Sequence, residues 1–200
     1  QQGTFPKGCR FRNQITTMPR GTEWRRRMND SFPVDGWRKT WLRIVSPSGE
    51  AWAVHPADRG ICEGPFPFDS PVHVITAWNP RSQSMDYSEN LQRHQQLVGQ
   101  LRAAGEEICE GTGSAGDGSW AEEGIARIGH SLDSSIRIGI EWQQDAIWEW
   151  HPRGLAAVEC ESGRRHEWGW VLAALTSRAP FDDREGLIHP PDSDQNPPRP

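Results

Sequence analysis

Seven residues in three predicted loops carry side chains suited to binding a small polar ligand. They supply amide, carboxylate and guanidinium groups close to two indoles, those of Trp78 and Trp120. Indoles offer planar surfaces for stacking, and a few polar groups then fix the orientation of a ligand. Loops also carry functional residues more often than cores do. The candidate ligand-binding residues are Asn79, Arg81, Asn90, Trp120, Glu122, Glu123 and Gln144.

The same residues could instead serve the structure. Asn79, which precedes a proline, can end a turn, and Trp120 can close one end of a sheet. Glu122 can form an ion pair with Arg81. Sequence alone leaves both interpretations open, because it shows neither the burial of a side chain nor its neighbours.

The chain order predicts that several of these candidates meet at one end of a sheet. One group follows the end of the first core strand, and the other two immediately precede later strands. If those strands run antiparallel to the first, their starts lie at the edge where the first strand ends. The residues predicted to converge there are Asn79, Arg81, Trp120 and Gln144.

A glycine-rich segment matches a cofactor-binding pattern only literally. Residues 111–116 read Gly-Thr-Gly-Ser-Ala-Gly, as in G-x-G-x-x-G loops that bind dinucleotides. That chemistry requires the loop to open a helix whose amino end holds the pyrophosphate. The following residues, 117–123, contain three acids and no helix start. We therefore interpret 111–119 as a flexible loop, and we predict no cofactor.

Metal-ligating side chains do not occur at the spacing of known metal sites. The available histidines and cysteines are far apart, and Glu159 and Glu161 on a predicted strand are typical of a solvated strand face. The sequence contains no nucleophile elbow, zinc-protease motif or phosphate-binding loop. We predict no metal site, and the sequence leaves open whether the protein is an enzyme.

Charge is distributed unevenly along the 200 residues, whose net charge is −5. Residues 1–39 carry nine basic and three acidic side chains, whereas residues 86–161 carry fourteen acidic and five basic ones. An acidic surface repels phosphate backbones, which argues against a nucleic-acid partner. No apolar run approaches the ~18 residues of a membrane span. Four widely spaced cysteines and no visible signal segment predict a cytoplasmic protein with no membrane association.

Hydrophobic periodicity predicts an α+β fold. After a hairpin over 41–55, the order from Val72 is strand, helix, strand, strand, helix, strand. This βαββαβ order is typical of a ferredoxin-like sandwich, in which two main helices cover one face of a mainly antiparallel sheet. The alternative, a doubly wound parallel sheet, requires a helix between the strands predicted at 107–110 and 125–128.

Either Asp86 or Ser88 can cap the first predicted helix, and Ser131 can cap the second. A closing helix is predicted over 168–175. The side chains predicted to face the sheet are Leu91, Leu97 and Leu101 from the first helix and Leu132, Ile136 and Ile140 from the second.

Three segments are predicted from composition and pattern. Residues 1–39 form a flexible basic arm, residues 40–176 form a single α+β domain, and residues 177–200 form a disordered tail rich in proline.

Four short motifs occur together in one order. Residues 75–82 end a strand as Ile-Thr-Ala-Trp-Asn-Pro-Arg-Ser, and a helix with an early asparagine, spaced leucines and a final glycine follows. Residues 120–123 then read Trp-Ala-Glu-Glu, and residues 144–147 read Gln-Asp-Ala-Ile. Over about residues 40–160 the sequence resembles a bacterial family of domains of unknown function, number 3293.

The resemblance implies a shared fold and site position but no activity. Two residues depart from the family pattern: Asp145 stands where asparagine is usual, and Gln143 stands where glycine is usual.

The sequence predicts a protein that binds an unidentified small polar ligand or a protein partner at one end of its sheet. The alternative is an enzyme acting on a nucleotide-like or other small polar substrate, with Glu122 or Glu123 as general base and Arg81 holding an anion. A concave pocket joining Arg81, Trp120 and Glu123 would favour the enzyme. A flat apolar patch would favour a partner protein.

Overall fold

The computed structural model describes residues 34–173, which contain nine strands and three α-helices. The elements are α1 (Val34–Trp37), β1 (Thr40–Val45), β2 (Ala51–Ala57), β3 (Cys62–Glu63), β4 (Val72–Thr76), α2 (Tyr87–Ala103), β5 (Cys109–Ala115), β6 (Ala121–Ile128), α3 (Leu132–Glu141), β7 (Ala146–His151), β8 (Gly154–Glu159) and β9 (Arg165–Ala173). Most of the predicted arm and the whole predicted tail lie outside the described residues. Within residues 34–173, no helix is both long and apolar enough to cross a membrane.

Eight of the strands close into an antiparallel barrel. Neighbouring strands follow the order β2-β1-β5-β6-β4-β7-β8-β9, and β9 pairs back with β2 from Ala53↔Ala173 to Ala57↔Gly169. The short β3 also pairs in parallel with β9, through Cys62↔Trp170 and Glu63↔Val171. The predicted ferredoxin-like sandwich is therefore wrong, and so is its doubly wound alternative.

One cause of this error is the segment predicted as a closing helix, 168–175. It falls largely within β9, where Trp168 pairs with Leu155 and Trp170 is almost completely buried. A short apolar run cannot be assigned to helix or strand by periodicity alone, and the enrichment in tryptophan and valine favours a strand. Once β9 is a strand, it supplies the pairing with β2 that closes the sheet.

A second cause is the glycine-rich segment that was predicted as a loop. Residues 111–115 belong to β5, in which a side chain at Gly111 would lie 2.8 Å from the backbone of Ile125. In the neighbouring strand β6, a Cβ at Gly124 would lie 2.4 Å from the carbonyl oxygen of Ile75 in β4. Glycine is rare in strands except where another backbone approaches closely, and here two neighbouring strands require it.

Other predicted elements are confirmed. The hairpin β1–β2, strand β4, helices α2 and α3 and the hairpin β7–β8 all lie where the pattern placed them, within a few residues. Ser131 caps α3, since its hydroxyl oxygen accepts a hydrogen bond from Ser134 N at 3.3 Å. Gly105 follows α2 with φ +77°, as expected of a glycine after a helix end. Asp86 precedes α2 but makes no capping hydrogen bond with its side chain.

Aromatic side chains fill the end of the barrel at which β4 begins. Trp150 and Trp170 are almost completely buried, with ring centroids 5.5 Å apart. Phe66 and Phe68, from the segment before β4, pack edge-on against Trp150 at 5.0 and 5.8 Å. This end of the barrel is therefore a packed core.

A second core lies between the barrel wall and helices α2 and α3. Leu97 and Leu101 are buried against it as predicted, and Leu132 and Ile136 pack partly buried beside them. Ile140 is instead 51% exposed, and the prediction that it faces the sheet is wrong. Each step of four residues turns ~40° too far round a helix, so the third member of an i, i+4, i+8 series leaves the buried face. Ile138 and Trp142 take that place.

Two helical glycines provide a matched test of this second core. Gly139 of α3 faces the barrel, and a Cβ there would lie 2.6 Å from Cys160 Sγ and 2.8 Å from Ile147 Cγ2. Gly99 of α2 has open space around it. We expect Gly139→Ala to lower the free energy of unfolding by about 1–3 kcal/mol through overpacking. Gly99→Ala should raise it by about 0.5–1 kcal/mol. Urea denaturation measures both, and equal effects would contradict the packing of α3.

Candidate ligand-binding site

The predicted site loops all lie at the end of the barrel at which β4 finishes. Strands β6 and β7 flank β4, and both run antiparallel to it. The loops that precede them therefore lie beside the loop that follows β4. The structure thus places Asn79, Trp120 and Gln144 at the same end of the barrel.

A cavity of about 400 Å³ opens at this end. Four indoles and several polar side chains line it, and none of the lining residues within 34–173 is lysine or arginine. The residues with aromatic or polar side chains are Trp37, Thr40, Thr76, Trp78, Asn79, Ser82, Ser84, Trp120, Glu122, Gln144, Asp145 and Trp148. The volume lies within the range typical of sites for small molecules.

The cavity has room for a ligand because two of its wall residues are glycines. Gly113 of β5 and Gly124 of β6 both line the cavity. A Cβ at Gly113 would have only ordinary contacts, 3.8 Å from Thr40 and 3.9 Å from the ring of Trp120. Because these two wall residues have no side chains, the barrel interior is unfilled at this end. At the other end, large aromatic residues fill the interior.

Hydrogen bonds between two asparagines shape the loop after β4. Asn79 has φ 45°, a left-handed conformation that asparagine tolerates better than most residues. Its backbone N donates to Asn90 Oδ1 at 2.8 Å, and Asn90 Nδ2 donates back to Asn79 Oδ1 at 3.0 Å. Met85 N also donates to Asn79 Oδ1. Asn90 is buried, so its contribution is to fix the loop rather than to contact a ligand.

The same asparagine pair orients Glu122. Asn79 Nδ2 donates to Glu122 Oε1 at 2.7 Å, and no other residue within 34–173 hydrogen-bonds to this carboxyl group. Burial raises the pKa of Glu122, and the hydrogen bond from Asn79 opposes that rise. Its second oxygen therefore remains available to a ligand in a partly dehydrated site.

The side chain of Gln144 holds the loop that follows β4 from the side of β7. Its Nε2 donates to the carbonyl oxygen of Trp78 at 2.9 Å, which ties the start of β7 to the end of β4. Trp78 is buried, and its ring lies edge-on to Tyr87 with centroids 5.6 Å apart. Gln144 thus positions an indole of the cavity as well as lining it.

The comparisons with known proteins bear on this same segment. The model of a family described as a protein of unknown function, DUF3293, matches residues 75–147. The predicted family resemblance is confirmed over this stretch. No curated protein and no solved structure matches the chain.

The DUF3293 segment runs from β4 to the start of β7 and contains all seven candidate residues. The cavity extends beyond it, because α1 and β1 supply Trp37 and Thr40. At Gln143, where glycine was expected, φ is 61°. That left-handed conformation is strained for glutamine, and the glycine that the resemblance implies there would adopt it easily.

Two candidates do not join the others. Arg81 is exposed and does not line the cavity, and its backbone N donates to Gln143 O at 2.7 Å. Glu123 lies on the outer face of β6, where one carboxyl oxygen is 3.8 Å from His94 Nε2. Glu122 is paired with Asn79 rather than with Arg81. The pocket is therefore concave, but it does not join Arg81, Trp120 and Glu123.

Several cavity residues are not among the candidates predicted from the sequence, including Trp37, Trp148 and Asp145. Trp37 falls within the predicted arm, yet it lies in α1 and its ring is 5.2 Å from that of His166. Trp148 points inward from β7, as alternation along the strand could have indicated. Asp145 accepts a hydrogen bond from Ser82 Oγ at 2.6 Å. No sequence pattern indicated the position of Trp37.

A chain of polar residues on the outer barrel wall resembles a catalytic relay but is inaccessible. Ser135 Oγ lies 3.0 Å from His73 Nδ1, and His73 Nε2 lies 3.5 Å from Glu149 Oε1. The nearby imidazole of His73, together with the guanidinium of Arg165, lowers the pKa of Glu149 to about 2. Ser135 lies on the buried face of α3 and is 0% exposed, so no substrate can reach its hydroxyl. This chain joins α3 to the barrel.

Two of the three described cysteines, Cys109 and Cys160, are buried, and the exposed Cys62 does not line the cavity. Burial raises the pKa of the Cys160 thiol to about 12, and burial also raises that of Cys109. Thiols of this kind are poor nucleophiles at neutral pH. Residues 34–173 contain no group of three or more histidine, cysteine or acidic side chains placed to hold a metal ion.

Proposed function

We propose that this protein binds a small polar ligand in the cavity at the end of its barrel. The observation that carries the proposal is the Glu122 carboxylate, which Asn79 holds through one oxygen and which has no other hydrogen-bond partner within residues 34–173; four indoles line the same cavity. Pockets with apolar walls and few polar anchors are the usual form of small-molecule sites. The family description assigns no activity, so the proposal rests on this geometry alone.

The concave shape supports a small ligand over a protein partner. Large apolar side chains are exposed at only four positions within residues 34–173, and only Trp120 among them lines the cavity. A binding surface for a protein normally presents a contiguous apolar patch. The other three residues, Ile61, Tyr87 and Ile140, do not form part of the cavity lining.

A variant with a filled cavity tests the proposal. Gly113→Leu would place a side chain among Thr40 and Trp120 without a backbone clash. We expect a fragment library to raise the melting temperature of the wild-type protein and to have no effect on this variant, because a bound ligand stabilises the folded state. Gly99→Ala, which lies in open space on α2, is the matched control and should keep the response. Fragments that bind equally to Gly113→Leu would contradict the proposal.

An enzyme acting at the same cavity is the second candidate. The raised pKa of Glu122 favours it, because a general acid or base works best with a pKa near the operating pH. Within residues 34–173, no serine or threonine that lines the cavity hydrogen-bonds to a histidine, so acid–base chemistry is the class that fits. NMR can follow bound fragments over time, and chemical conversion by the wild type that is lost in Glu122→Gln would support the enzyme.

A further inference from the structure

We infer that the cavity selects organic cations, namely an ammonium or amidinium group carried on a flat apolar body. This inference rests on the proposed ligand-binding function and names its class of ligand. Three independent observations carry it: the charges of the lining, the aromatic walls and the incomplete pairing of Glu122.

The charged side chains of the lining are all acidic. Glu122 and Asp145 line the cavity, and none of the lining residues within 34–173 is basic. The nearby Arg93 is committed elsewhere, since it donates to the carbonyl oxygens of Ala77 and Trp142 at 2.7 and 2.9 Å. Arg81 is exposed outside the lining. A phosphate or carboxylate ligand would therefore meet repulsion and no basic partner, whereas a cation meets attraction.

The aromatic walls of the cavity favour a ligand that has both a positive charge and a flat apolar body. Four indoles, those of Trp37, Trp78, Trp120 and Trp148, line it. Tryptophan is the best cation–π partner among the aromatic residues, and the attraction grows when water is excluded. Indole faces also stack on planar apolar groups. A cationic head on an aromatic body uses both properties of the walls.

Glu122 supplies the specific anchor. Asn79 holds its Oε1, and within residues 34–173 no group donates to its Oε2. A half-buried carboxylate with a single neutral donor has lost part of its hydration, and a cation at Oε2 would offset that loss. Asp145 differs, because Ser82 Oγ already donates to it. Burial raises the pKa of Glu122, and a cation bound beside it would lower that pKa again.

Three probes of nearly identical shape isolate the effect of charge. Benzamidine, benzamide and benzoate have a common aromatic body and carry a positive, neutral and negative head. Isothermal titration at about pH 8, where an ordinary glutamate is ionised, measures their affinities for the wild-type chain. We expect benzamidine to bind at least about tenfold more tightly than benzamide, and benzoate to bind most weakly.

Glu122→Gln supplies the decisive control, because it keeps the size of the side chain and the contact with Asn79. We expect this variant to bind benzamide as the wild type does and to lose the preference for benzamidine. Asp133→Asn, on the exposed start of α3, changes the net charge equally and should retain the preference. Circular dichroism confirms that each variant is folded.

The possible outcomes separate the two proposals. Equal binding of all three probes, or tighter binding of benzoate, would overturn the cation preference and leave ligand binding in place. A preference that persists in Glu122→Gln would overturn the assignment of the anchor. If none of the probes binds while fragments that Gly113→Leu rejects do bind, the ligand class is wrong. If Gly113→Leu rejects nothing, the proposed function fails as well.

Discussion

Replacing Trp150 by alanine is expected to lower the free energy of unfolding by about 3–5 kcal/mol. Trp150 is 0% exposed in the barrel interior and contacts the rings of Phe66, Phe68 and Trp170. Removing its indole leaves a cavity that the surrounding strands cannot collapse to fill, because their hydrogen bonding fixes the barrel radius. Chemical denaturation followed by circular dichroism gives the loss directly.

Trp120→Ala removes the same side chain at the other end of the barrel and serves as the control. Trp120 is 41% exposed, so we expect its removal to cost well under half as much stability. Similar losses for the two variants would show that the cavity end is packed as tightly as the aromatic end. That result would contradict the division of the barrel into a filled and an open half.

Replacing Arg127 by methionine is expected to lower stability by about 3 kcal/mol, near the lower end of the range for breaking a buried ion pair. Arg127 is 2% exposed on β6 beneath α3. Its guanidinium donates to Glu106 Oε2 at 2.8 Å and to Ser135 Oγ at 2.9 Å. The variant keeps most of the buried apolar stem but leaves an unpaired carboxylate, which the partial exposure of Glu106 makes less costly.

A double-mutant cycle separates the ion pair from packing. If the unpaired carboxylate causes the loss, adding Glu106→Gln to Arg127→Met should recover about 1 kcal/mol. Glu106→Gln alone should destabilise the wild type. Strictly additive effects would mean that Arg127 stabilises the protein through Ser135 and His130 rather than through Glu106.

Local structure could be predicted from this sequence better than global topology. Helix α3 followed from the Ser131 cap and its apolar spacing, and the strand over residues 72–76 followed from a run of β-formers. Closure depends on pairing between β2 and β9, which leaves no local signal. Glycines in β5 concealed a strand because their role is to admit neighbouring backbone, a requirement visible only in three dimensions.

The residues of the candidate site could likewise be predicted only in part from the sequence. The sequence indicated the loops that hold Asn79, Trp120 and Gln144, because loop positions between strands follow from chain order. It could not distinguish Glu122 from Glu123, since the face of a strand depends on register, and neighbouring residues point to opposite faces. Whether these residues bind a ligand stays a prediction that the titrations above address.

Closure of the barrel also sets an order of events during synthesis. The pairing of Ala53 in β2 with Ala173 in β9 joins distant parts of the described chain, so β9 must emerge before the barrel can close. Contacts this distant in sequence slow folding, because a long loop must close before any of them forms. Until β9 arrives, β2 and β8 both expose unpaired edges to other nascent chains. The growing polypeptide is therefore prone to aggregate until β9 is made.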